Sequence, residues 1–498
     1  MSEKSFSRWL KFFLGLEFFY VFCSIFLSQS AVADDFEHMH AAWLVWNGYI
    51  PYTDFFEHHH PLMWYLFAPI MGMANRNILI IFPLRVIMCS ISILTLCVVY
   101  RLIKGFLKDR MSALLTICIF ASSLIVQCSI IQIKPDMFMH LFFMLGLYYF
   151  FKFIRDEKQK DLNICAIMMT IGFLFLQTII FLALPLGVVY GYLLIKKKAT
   201  FKMLAKAIVV PTIILGLAVA FLYYSGNLER YWQLNWVVNS LFNKDVVNMS
   251  KFYAVLLSGF MCAIYLIYKK PNIYVTTILL MYFTELALRT MYFSVHIYYF
   301  KMLLLYNAIV MSLAVGMLLK EYKSLTYIIV FVLAVSNLRF FLLTHTKSLT
   351  DKAMVITMTI AKNTTADDIV LNMNSFPFGV FNKDPHYYWF SWSFVGDTDA
   401  KLYHYAEEFD INKILVEKRP KFVYYEDYLH RGFSNGDKRY DIDIQLLLKY
   451  YEPAGTNILF KRKMKQSEPL SIKEMKEKST SKLFKNKPEN MMIEYFPQ

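Results

Sequence analysis

Apolar runs of about 17–25 residues, each long enough to cross the hydrocarbon of a bilayer as one helix, recur along the first two thirds of the chain. They constrain its fold more than any other feature. The runs lie near 10–30, 78–100, 111–129, 137–154, 203–224, 252–268, 272–288, 297–319 and 324–343. The stretch 162–195 is too long for a single crossing; it is interrupted at Gln177 and Pro185 and reads as two short helices joined outside. Eleven spans result. The first run contains Lys11 and Glu17 and lacks a clean small-residue cleavage site, so it reads as a retained helix and not as a signal peptide.

Charge is distributed as unevenly as hydrophobicity. Residues 1–343 carry 29 Lys and Arg with 16 Asp and Glu, whereas 344–498 carry 23 and 21 in less than half the length. The first part is too poor in charge for a soluble domain, and the second has the charge density of one. A single soluble enzyme and a disordered chain are both excluded. Of the 29 basic residues in the first part, 20 fall on alternate connections, among them Lys4, Arg8, Arg101, Lys104, Lys152, Arg155, Lys196, Lys197, Lys198, Lys269, Lys270, Lys320 and Lys323. The positive-inside rule makes those connections cytoplasmic. The net charge of +15 is therefore mostly topology, and no nucleic-acid partner is expected.

An odd number of spans with the N-terminus inside places residues 344–498 outside, in an inner (plasma) membrane protein. All seven cysteines lie in the apolar part at no metal-like spacing, so the exported part must fold without disulfides. Within it, the runs 368–371, 421–425 and 457–460 read as strands, and 347–362, 400–415 and 443–451 as helices. The expected architecture is an α-helical polytopic membrane protein of about 11 transmembrane helices, with amphipathic helices in the first outer loop. A small extracytoplasmic α/β domain over 344–463 and a charged, poorly ordered tail over 464–498 follow it.

The first outer loop, about 31–77, is the chemically dense one. It opens with Asp34-Asp35, continues through Glu37, His38 and His40 to Gly48-Tyr49-Ile50-Pro51-Tyr52-Thr53-Asp54, and ends in Glu57-His58-His59-His60-Pro61. Apolar residues at 36, 39, 42–43 and 45–46 give a helical period, so an amphipathic helix on the outer leaflet would carry the two acids at its N-terminus, where the helix dipole favours them. An Asp-Asp pair there reads either as a helix cap or as a functional acid. Glu57 and the histidines read either as a surface run or as one or two metal ligands joined by a distant one, since consecutive residues of a regular element point apart. Arg289 either pairs with Glu285 four residues before it or, with Lys134 and Lys301, faces an anionic headgroup.

On these residues the chain resembles the GT-C superfamily of integral-membrane glycosyltransferases. The closest likeness is to bacterial relatives of the dolichyl-phosphate-mannose protein mannosyltransferases and to the lipid A aminoarabinose transferases. The family pattern is an Asp-Glu pair after the first span, a Gly-x-x-Pro-Tyr-x-Asp stretch and a Pro-rich start to a second interfacial helix. Lys134-Pro135-Asp136, Leu176-Gln177 and His296-Ile297-Tyr298-Tyr299 are weaker echoes. Two departures are plain: the second acid is Asp35 instead of Glu, and histidines stand where relatives often have a Lys near the Pro.

The resemblance implies inverting transfer of a sugar from a polyprenyl-phosphate carrier to a glycan, lipid or protein acceptor at the outer face of the membrane. Asp34 is then the base, with Asp35 second. Glu57, His58, Lys134, Asp136, Arg289, His296 and Tyr298 are implied for substrate binding, with a divalent metal ion held partly by Glu57 as an alternative source of positive charge. The competing reading is a polytopic lipid or glycan transporter or flippase without transferase activity, which predicts polar groups deep inside the spans. A non-catalytic membrane scaffold with an exported binding domain is a third.

Overall fold

A computed structural model describes residues 1–27, 33–123, 126–127, 130–239, 253–291, 301–343, 349–372, 378–387, 410–425, 442–454 and 459–463. A helix occupies each of the eleven apolar stretches: α1 (Glu3–Leu27), α4 (Ile81–Phe106), α5 (Arg110–Ala121), α6 (Pro135–Asp156), α7 (Gln159–Phe175), α8 (Ile179–Ile195), α9 (Phe201–Tyr224), α11 (Tyr253–Tyr268), α12 (Ile273–Met291), α13 (Lys301–Glu321) and α14 (Leu325–Leu343). Among the described residues, five helical segments are long and apolar enough to cross a membrane by themselves: Glu3–Phe26, Ile78–Phe106, Pro135–Asp156, Phe201–Tyr224 and Met302–Glu321. The chain is a polytopic helical membrane protein. The long apolar stretch does break, between Phe175 and Ile179, but Pro185 lies inside α8 and does not end it.

The chain divides into two compact units. The first joins Met1–Ser30, Phe82–Phe221 and Lys244–Lys347. In it Phe6, Leu10 and Phe13 of α1 pack against Leu114, Leu115 and Cys118 of α5 and Leu333 of α14. Farther along α1, Glu17 accepts hydrogen bonds from Ser122, just past α5, and from Asn337 of α14 at 3.3 Å. Three helices thus meet at one buried carboxylate. The α6–α7 hairpin turns at Glu157 in the left-handed conformation and is tied by Lys152 to Asp161 at 2.9 Å. Small residues let helices approach closely: a Cβ on Gly316 of α13 would collide with the Ser112 hydroxyl of α5.

The second unit joins Ala31–Ile81, Leu222–Asn243 and Ser348–Gln498, so the first outer loop packs with the C-terminal residues. It contains α2 (Ala33–Trp46), α3 (Leu62–Met73), α10 (Leu228–Trp232) running into a π turn (Gln233–Val238), and α15 (Leu349–Asn363). Four short strands follow, β1 (Val370–Asn372), β2 (Phe422–Tyr424), β3 (Tyr451–Pro453) and β4 (Leu459–Arg462), with α16 (Ile411–Glu417) and α17 (Ile444–Tyr450) between them. The sheet order is β1-β2-β4-β3. β1 and β2 are parallel with Leu371 opposite Val423, whereas β4 runs antiparallel to both neighbours. β1 and β2 are buried along their length, as a parallel pair requires, and Pro453 sits on the edge strand, where a missing N–H is harmless. The tail 464–498, the segment 400–409 and residues 457–458 of the expected last strand lie outside the described residues.

Candidate active site in the first outer loop

The two acids stand in the first turn of α2, where exposed N–H groups and the helix dipole stabilise negative charge. Asp35 is fully buried and Asp34 is half-buried. The helix differs from the expected one-sided amphipath: every residue from Asp35 to Leu44 is buried. The reason is tertiary. Phe36, from the apolar face, packs edge-on against Phe378, and the polar His40 bonds into the 378–387 segment, so the C-terminal part of the chain covers apolar and polar residues of the helix alike.

The Gly-x-x-Pro-Tyr-x-Asp stretch is a helix stop followed by a closed turn. Gly48 adopts φ +85° just past α2; its N–H bonds Val45 and that of Tyr49 bonds Leu44, a pairing that needs a left-handed residue at this point. The Asp54 carboxylate then accepts the Ile50 N–H at 2.6 Å, closing the loop around Pro51 and Tyr52. Tyr52, itself at φ +68°, is buried, and its hydroxyl donates to the His59 carbonyl at 2.6 Å. The Asn239 amide donates to the His58 carbonyl at 2.9 Å, and the Tyr231 hydroxyl lies 3.1 Å from His60 Nε2. The motif and the π turn together fix the backbone of the histidine strip.

Fixed in this way, the strip does something consecutive residues of a helix or strand do not: its side chains converge. Ligand atoms of Glu37, Glu57, His58 and His59 all lie within 4.8 Å of one another. His59 Nδ1 is 3.5 Å from Glu57 Oε2 and 3.7 Å from Glu37 Oε1. Residues 57–60 belong to no regular element, so the strand and helix periodicities do not separate them. Glu37 brings a fourth candidate ligand atom from α2. The other Glu57 oxygen, Oε1, is buried with no hydrogen-bond partner. Two carboxylates and two imidazoles around an unsatisfied buried oxygen fit a borderline cation such as Zn²⁺ or Mn²⁺ better than an all-oxygen Ca²⁺ or Mg²⁺ site.

Burial sets the protonation of these groups in opposite directions. It raises the Glu57 carboxyl above its usual range, against the pull of His59 and the His58 N–H. It drives His58 well below the usual imidazole range, helped by His59 and His38 and opposed by Asp34. His58 is therefore a neutral imidazole with a lone pair to offer. Trp64 donates its indole N–H to His38 Nδ1 at 3.2 Å, which places the His38 proton, when the ring is neutral, on Nε2.

The remaining sequence candidates fall elsewhere. Lys134, buried, precedes α6, and Asp136 lies in its first turn; both belong to the helical unit. Arg289 lies in α12, and of its side chain nothing is described; His296 and Tyr298 lie outside the described residues. His59 joins the cluster from the histidine run, and Glu37 joins it from α2, where no spacing singles it out. Arg85, fully buried near the start of α4, was hidden inside an apolar run, where a single cation leaves no periodic signal.

Residues 58–224 match the family model described as dolichyl-phosphate-mannose-protein mannosyltransferase. No curated protein is similar enough to the chain to count as a match. Among solved structures, the fold is similar to the crystal structure of ArnT from Cupriavidus metallidurans bound to undecaprenyl phosphate, with a TM-score of 0.50 at 12% identity. The similarity covers 75% of this chain and 68% of that one. The likeness to the GT-C glycosyltransferases that the first outer loop carries is thus shared by a matched sequence segment and by the fold.

Proposed function

We propose that the chain is a GT-C-type glycosyltransferase that moves a sugar from a polyprenyl-phosphate-linked donor to an acceptor hydroxyl at the extracytoplasmic face, with inversion. The observation that carries this reading is the half-buried Asp34 at the head of α2, on the same helix as Glu37 of the Glu37–Glu57–His58–His59 cluster. The sequence match and the fold likeness support it. The topology of the proposal has the N-terminus cytoplasmic, eleven crossings, and the first outer loop and residues 344–498 outside.

In the proposed step the acceptor oxygen bonds to the anomeric carbon as the bond from that carbon to the carrier phosphate breaks. The bonding pair leaves on the phosphate oxygen, and the acceptor proton passes to the Asp34 carboxylate. Asp35, fully buried, is less able to meet an acceptor and serves the helix end. The departing phosphate needs positive charge. A divalent ion held by Glu37, Glu57, His58 and His59 would supply it as a Lewis acid, in the place where relatives often have a lysine. Lys134, Asp136, Arg289, His296 and Tyr298 complete the proposed substrate contacts.

The test is Asp34→Asn in the full chain. Transfer of labelled sugar from its lipid carrier, followed by mass spectrometry of envelope glycans and lipid-linked sugars, is expected to fall by at least about a hundredfold, the usual worth of a positioned base. Expression and membrane insertion stay unchanged. Wild-type transfer in that variant removes Asp34 from the mechanism, and accumulation of translocated but untransferred lipid in the wild type favours a flippase.

A further inference from the structure

A second group of titratable side chains in the outer-loop unit takes no part in the transfer chemistry. His40 lies on α2 one turn beyond Glu37 and is completely buried. Its Nδ1 is 2.8 Å from the Val380 carbonyl, and its Nε2 is 2.8 Å from Asp384 Oδ2. The ring stacks on Trp43, with centroids 5.9 Å apart and planes 15° apart. A backbone carbonyl can only accept, and so can an ionised carboxylate, yet a neutral imidazole has a single N–H to give. The two contacts together need one proton more than a neutral histidine and an ionised aspartate contain.

Asp384 is anchored in turn. Lys383 forms a β-bridge with Ile369, beside β1, and its carbonyl accepts the Val370 N–H at 3.3 Å. The Asn382 amide donates to the carbonyls of Thr365 at 2.8 Å and Asp368 at 3.2 Å. Tyr387 donates its hydroxyl to the Tyr52 carbonyl at 2.6 Å, and its carbonyl accepts the Phe56 N–H at 2.9 Å. Residues 378–387 therefore bind to the sheet edge on one side and to α2 and the loop after it on the other.

We propose that His40 and Asp384 are a proton-requiring clamp that positions α2, and with it the acids at its head, against the 378–387 segment. Both act through α2 and are positioning residues. The charged groups facing His40 are Asp384 from that segment and Glu57 from the loop after α2. Burial disfavours the imidazolium, but these two carboxylates and the Val380 carbonyl outweigh it, and the His40 pKa is raised. Burial raises the Asp384 carboxyl as well, against the pull of His40. The sign follows: the extra proton is held, and the clamp contributes in full, below the ordinary histidine pKa, and both are lost as pH rises through the raised pKa of the pair.

The role of the clamp in transfer rests on the proposed function, but its test needs no sugar. Hydrogen exchange of α2 peptides is measured by mass spectrometry on the full chain in lipid nanodiscs, normalised to intrinsic exchange. Wild-type protection of α2 is expected to fall about tenfold or more between about pH 6.5 and about pH 9.5. In Asp384→Asn the amide N–H donates to Nε2 of a neutral ring whose Nδ1–H bonds Val380, so both contacts survive without the extra proton. Its protection is expected to change less than about twofold over the same range. His40→Ala is expected to exchange rapidly at both ends.

A flat wild-type profile, or an Asp384→Asn profile that falls as the wild type does, overturns the proposal. Should Asp384→Asn fail to fold, the imidazole carbon shift of His40 in the wild type decides: titration below about pH 6.5, the ordinary histidine value, overturns it, and titration above supports it. Asp34→Asn leaves the clamp intact, so failure of the base assignment and failure of the clamp are read separately.

Discussion

One residue apart, Glu57 and His58 carry pKa shifts of opposite sign from the same cause: burial penalises a charged group whichever charge it bears. Glu57 becomes a carboxylate late in a titration, and His58 is already neutral early in it. Cation binding to the cluster requires both forms, so Glu57 sets the lower limit. Zn²⁺ or Mn²⁺ binding by the full chain, followed by calorimetry, is expected to strengthen as pH rises from the ordinary carboxylate range through the raised pKa of Glu57, because its proton competes with the ion only below that pKa. Glu57→Gln is expected to weaken binding about 10–100-fold and to flatten that dependence. Affinity unaffected by the substitution would take the metal out of the reading. The sequence displayed these residues but not their convergence. Asp34, Asp35 and Glu57 stood out because carboxylates are scarce beside a membrane, whereas the approach of Glu37 to His59 depends on the irregular backbone of 57–60.

Helices carry the next scale. At Glu17 a carboxylate inside α1 joins α5 and α14 through Ser122 and Asn337. Glu17→Ala leaves the buried Asn337 amide and the half-buried Ser122 hydroxyl without this acceptor and is expected to lower stability by about 1–3 kcal/mol, read as thermal stability in detergent; Glu17→Gln, which keeps an acceptor, is expected to cost less. A transporter would need such groups to form a path, and among the described residues this acid is held as a packing node between helices. In the C-terminal part, Gly379 lies against β1: a Cβ there would sit 2.8 Å from Val370 Cβ, with both residues buried. Gly379→Ala must push the 378–387 segment off the strand and is expected to cost about 1–3 kcal/mol, measured by the same melt. Helix positions were legible because apolar runs of membrane length leave few alternatives. The break at 176–178 was legible and the continuity at Pro185 was not, since a proline inside an apolar helix loses one bond without ending the helix when its neighbours re-satisfy the backbone.

For the whole molecule, the first outer loop and the C-terminal residues form one compact unit although more than three hundred positions separate His40 from Asp384. Removing residues 378–387 is therefore expected to abolish transfer even though Asp34 and the histidine strip remain, whereas removing the tail beyond 463 is expected to leave it intact; donor-to-acceptor assays on both truncations check this. A reporter fused after residue 350 is expected to read extracytoplasmic, and a cytoplasmic signal would break the topology of eleven crossings. The sequence by itself determined the membrane class, the helix-bearing stretches, the alternation of basic and less basic connections and the chemical density of residues 34–60. These are properties of composition and spacing, which the bilayer reads one segment at a time. Only the tertiary structure decided that residues 35–44 of α2 are buried throughout, that Glu37 meets Glu57, His58 and His59, and that His40 must share a proton with Asp384. Those depend on which distant surfaces come together, and no local period records that.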